Sequence, residues 1–130
     1  MAMKTAVYPA LREDAVEGYL RNLLGPSIRV TGIQPLGKPS GTKGFGYGVP
    51  VRIDYEIAGE PHGAVLETVA PGGFGHEHMS DRAQAALWAH ATYNRLPRHV
   101  RSLDAGAFLP AGQMLSIGRA REFFVLTEFA

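Results

Sequence analysis

The chain contains no cysteine, so its 130 residues can form neither a disulfide framework nor a thiolate metal site. No stretch approaches the ~20 consecutive apolar residues that a membrane-spanning helix needs. The first residues, MAMKTAVYPALRED, lack the apolar core of a secretion signal. A soluble, cytoplasmic chain with no membrane partner is the expectation. Charge is sparse and balanced, at 19% of residues and a net +1. The densest basic group, Arg95, Arg98 and Arg101 with His99 among them, is too small for the footprint that phosphate-backbone binding requires, which argues against nucleic acid as a partner. Three catalytic signatures are missing as well: the GxSxG of serine hydrolases, the HExxH of zinc proteases and the Gly-Lys-Ser/Thr of a P-loop.

What is plentiful is glycine, at 16 residues, with 9 prolines. Both concentrate between periodic segments, as expected of short elements joined by turns. The length fits a single domain able to bury roughly two-thirds of its unfolded surface.

Residues 10–24 carry Leu11, Ala15, Val16, Tyr19, Leu20, Leu23 and Leu24 at helical spacing. Glu13 and Asp14 suit the positive end of that helix, and Gly25-Pro26 ends it, with glycine expected in the left-handed cap conformation. Residues 28–36 are β-branched and read as a strand. The clearest strand follows a glycine-rich loop: Val49, Val51, Ile53, Tyr55 and Ile57 alternate with Pro50, Arg52, Asp54, Glu56 and Ala58. Turn chemistry at 59–63 and a third strand at 64–69 complete an antiparallel hairpin. Ser80 is placed to cap a second, alanine-rich helix over 81–95 that would pack on the sheet. Strands are expected at 102–109, 113–117 and 122–129, the last well covered because FFVLTEF is strongly apolar. The order predicts an α+β domain, an antiparallel sheet with a helix on one face.

The stretch PGGFGHEHMSDRA, residues 71–83, combines glycines, two histidines and a helix start. His76 and His78 have the chemistry of metal ligands, but no third ligand stands at a recognisable spacing, and hydrogen-bonding loop histidines are the simpler reading; no metal site is assigned. Gly41, Gly44, Gly46 and Gly48, and the segment from Gly72 to the helix start, would let backbone amides approach a phosphate. Two flexible loops are the alternative. Asp54, Glu56 and Glu60 read as solvated charges rather than an acid–base pair.

The element order, with the strings IQPLGKPSGTKGFGYGVPVRIDYEI, AVLETVAP, SDRAQAALWAHATYNRLP, SLDAGAFLPAG and REFFVLTEFA, resembles the N-terminal lobe of the protein-kinase-like fold. GFGHEHMSDRA and YNRLPRHVRSLDAGAF point specifically to the aminoglycoside phosphotransferase family, over residues 28–130, with 1–27 as a preceding helix and cap. The resemblance implies a sheet of about five strands with one packed helix, binding ATP and magnesium. Gly41, Gly44, Gly46 and Gly48 would cover the phosphates, with Gly73, His76 and His78 nearby and Thr127, Glu128 and Phe129 as the hinge that meets adenine. Glu67 falls where the family's strand places a phosphate-holding lysine, and Arg82 would pair with it in reversed polarity. These 130 residues hold no HxD with a downstream asparagine and no DFG-like aspartate, so they are expected to be inactive alone. A lobe without its second half would expose apolar surface and self-associate, or take a partner there. The alternative is a stand-alone α+β ligand-binding or interaction module without nucleotide.

Overall fold

The computed structural model describes residues 11–36, 50–68 and 78–129. Helix α1 (Glu13–Leu24) begins three residues later than the periodicity suggests, after Arg12 in an extended conformation. Its Val16 and Leu20, one turn apart, are buried. Gly25 closes it with its amide on the Arg21 carbonyl at 3.0 Å. That glycine lies at φ 126°, ψ 161°, not in the left-handed helical cap but in a region essentially reserved for glycine.

Strands β1 (Ile28–Pro35), β2 (Val51–Ile57) and β3 (Glu60–Leu66) form an antiparallel sheet in the order β1-β2-β3. The alternation read in β2 is borne out: Val51, Ile53 and Tyr55 are buried, and Arg52 between them is exposed. In β1, strict alternation from Ile28 and Val30 would turn Gly32 and Gln34 toward the core. A bulge between Val30 and Gly32 spends one extra residue and sets Ile33 opposite Ile53, so a large apolar side chain packs on the core instead.

The β2–β3 connection is tighter than expected. Ala58 and Gly59, both at positive φ (52° and 87°), make a two-residue turn with the primed geometry that suits strand twist. Strand β3 therefore starts at Glu60, not at residue 64. Pro61 fits there because β3 is an edge strand.

The core joins Val16 and Leu20 of α1 to Ile28, Val30, Val51, Ile53 and Tyr55. At roughly 1.5–3 kcal/mol for each large apolar side chain fully buried, this cluster is the main stabilising term of the sheet. The helix packed on the sheet is thus α1, which the resemblance had set outside the lobe. Helix α2 (Met79–Tyr93) buries none of its side chains. It also starts two residues early: His78 occupies the cap position without a side-chain bond, and Ser80 lies inside the helix.

Strands β4 (Gly106–Phe108) and β5 (Met114–Ser116) form a separate antiparallel pair. The fold is α+β as expected, but the expected single sheet is divided into three strands and two. Residues 122–129 are not a covered strand; they have no regular structure and are exposed.

Candidate functional site

The antiparallel register brings the two glycine-rich segments out of one end of the sheet. Strand β1 ends and β2 begins there, tied by the Leu36 amide on the Pro50 carbonyl at 2.9 Å. The segment 37–49, carrying Gly41, Gly44, Gly46 and Gly48, joins them; it lies outside the described residues. At the same end β3 finishes, with Leu66 opposite Val51. Glu67 follows at once, exposed, and then Thr68, whose hydroxyl oxygen is buried with no hydrogen-bond partner among the described residues. Gly73 and His76 also lie outside the described residues.

His78 is exposed, and its carbonyl accepts from the amides of Asp81 (3.1 Å) and Arg82 (3.2 Å) as α2 begins. Arg82 is half-buried and points Nη2 toward the Met79 sulfur at 4.0 Å. Thr127, Glu128 and Phe129 are exposed and paired to no strand among the described residues. Of the expected contact residues, then, the fold places Glu67 at the loop-bearing end of the sheet, while Thr127, Glu128 and Phe129 lie in the unpaired segment.

A second assembly escaped the sequence reading. Tyr19 of α1 donates its phenol to Asp104 Oδ2 at 2.5 Å, and Ser116 of β5 donates to Oδ1 at 2.9 Å. Arg119 extends the chain of contacts, donating through Nε to Ser116 Oγ (3.3 Å) and through Nη1 to the Asn22 carbonyl (3.2 Å). Burial first, and then the Asp104 carboxylate it serves, hold the Tyr19 phenol well above its ordinary range. Gly118 permits this geometry, since a Cβ there would stand 2.5 Å from Asp104 Oδ1 and 2.8 Å from the Ala105 amide. Nearby, His90 Nδ1 and Ser102 Oγ are 2.7 Å apart, and the Asn94 amide brackets Ser102 with bonds to its N–H (2.8 Å) and carbonyl (3.0 Å). These contacts fasten 102–119 to both helices. Tyr19 and Asp104 are 85 residues apart, and no local pattern announces the pair.

The outer face of the sheet holds a shallow open dish of about 390 Å³ lined by Thr31, Arg52, Asp54, Glu56, Pro61 and Gly63, among others. Its carboxylates are neutralised within the sheet: Arg29 pairs with Glu56 at 2.9 Å and Arg52 with Asp54 at 2.8 Å. Asp54 and Glu56, read from the sequence as solvated charge, are thus half-buried and ion-paired. Among the described residues no group of three or more His, Asp or Glu could hold a metal, and no helix is long and apolar enough to cross a membrane. No family model, no curated protein and no solved structure matches the chain.

Proposed function

We propose that the loop-bearing end of the three-stranded sheet binds the phosphates of a nucleotide, in the manner of the N-terminal lobe of a small-molecule phosphotransferase. The observation that supports this is the register. Leu36 meets Pro50 and Val51 meets Leu66, so the segments carrying Gly41 to Gly48 and Gly72 to His78 leave from one end of the sheet. Glycine-rich segments at a strand end are where backbone amides can close on phosphate oxygens.

The fit to ATP is qualified by charge. Glu67 is a carboxylate where phosphate would prefer a cation, and it tolerates phosphate only across a bound metal ion. Affinity should therefore depend on magnesium. Within these residues no base or metal-holding aspartate serves phosphoryl transfer, so the activity assigned to them is binding.

Calorimetric titration of ATP with and without magnesium tests the reading. Binding is expected with magnesium and is lost without it, and Glu67→Lys should tighten it several-fold and relax the metal requirement. No binding by the wild-type chain or by Glu67→Lys, with both folded by circular dichroism, would overturn the proposal.

A further inference from the structure

The two edges of the three-stranded sheet are not equivalent. On the β1 side, two outward backbone groups at the start of the strand are taken up by side chains of α1. The Val30 amide donates to Glu17 Oε1, and Arg21 Nε donates to the Ile28 carbonyl, each at 2.9 Å. On the β3 side the two-residue turn makes Ile57 and Glu60 the first hydrogen-bonded pair. Alternation along the ladder then aims the backbone groups of His62, Ala64 and Leu66 at β2, and those of Pro61, Gly63 and Val65 outward. Pro61 has no N–H to offer. Gly63 and Val65 present both groups, and among the described residues no backbone bond from outside the sheet reaches them.

The same chain carries a segment with the complementary need. Phe123, Phe124, Val125 and Leu126 are 66%, 88%, 86% and 90% exposed, and Phe129 is fully exposed. Residues 122–129 contain no glycine or proline and are dominated by aromatic and aliphatic side chains. Such a run favours a strand and is an aggregation hazard when left bare. At ~150–250 Å² for each aromatic side chain, the five expose on the order of 800 Å² per copy. A standard protein interface buries about that much from each partner.

We propose that residues 122–129 of one copy add as a fourth strand along the β3 edge of a second copy, reciprocally about a two-fold axis. Each copy holds both an unpaired apolar segment and an open edge, so one axis satisfies both needs and closes the assembly. The added strand turns one of its two apolar faces to the side where Ala64 and Leu66 pack on the core. With the start of the β1 edge already engaged by Glu17 and Arg21, the added strand goes to β3.

Sedimentation and light scattering of the whole chain over a wide concentration range should give a dimer. Leu126→Glu and Val125→Pro should each raise its dissociation constant at least ten-fold, with circular dichroism of the body unchanged. Because the chain has no cysteine, a mixture of Val65→Cys copies and Val125→Cys copies reports the docking directly. A short bis-maleimide should join one to the other. A monomer at every concentration overturns the proposal, as does a dimer indifferent to both substitutions. Cross-linking of Val125→Cys only to itself, or within a monomeric double variant, overturns it equally.

Discussion

Ala58 is the clearest residue at which a side chain works against the fold. It holds φ 52° in the β2–β3 turn, where a Cβ costs roughly 1 kcal/mol or more that glycine does not incur. Gly59 beside it, at 87°, already has the preferred identity. Ala58→Gly is therefore expected to stabilise the chain by about 0.5–1 kcal/mol, the gain reduced by the extra freedom of the unfolded glycine. Chemical denaturation should show a higher midpoint with an unchanged slope. Unchanged or lower stability would mean that the turn relaxes at no cost.

Among the elements, the Tyr19–Asp104 bond is the link whose pH dependence can be worked out. The phenol is raised in the folded chain from its ordinary 10.0, by burial and by the carboxylate it serves. Below that ordinary value both folded and unfolded chains hold the proton, and the bond contributes fully. As pH climbs above 10, the unfolded chain releases the proton first, so stability falls. Tyr19→Phe should cost about 1.5–3 kcal/mol at neutral pH, the worth of a hydrogen bond to a charged group. It should also flatten the decline above pH 10, which denaturation at stepped pH would reveal. A decline of the same steepness in Tyr19→Phe would show that other groups cause it.

At the scale of the whole molecule, stability is unevenly spread. The core unites α1 with β1 and β2, whereas α2, which carries the single tryptophan, Trp88, buries none of its side chains. Local opening is easiest where few apolar contacts must break. Amide exchange should therefore be fastest in α2 among the helices and slowest in β2, the central strand. Equal protection of α1 and α2 would contradict this.

How much of this was legible beforehand differs from element to element. The alternation of Val51, Ile53 and Tyr55 could be read directly, because a half-buried strand imposes period two on its own residues. The stripe of α1 was equally plain, as was the α+β class. The bulge at Val30/Gly32 was not, since it appears only when β1 must match β2 residue by residue. Strand length in 102–117 was overestimated for the same reason: apolar character nominates a strand, but only a partner makes one. At the loop-bearing end, the sequence could place the glycines and Glu67 in order along the chain, while the register of Val51 with Leu66 brought the start of β2 and the end of β3 to one place.

What the sequence by itself determined is what depends on neighbours a few residues apart: the two amphipathic patterns, the turn at Gly59, and the absence of thiol chemistry. The tertiary structure alone decided which helix covers the sheet, which edge stays open, that Tyr19 finds Asp104, and that FFVLTEF is left bare. The physical reason is that burial and pairing are properties of two surfaces at once, and a chain read one residue at a time names only one of them.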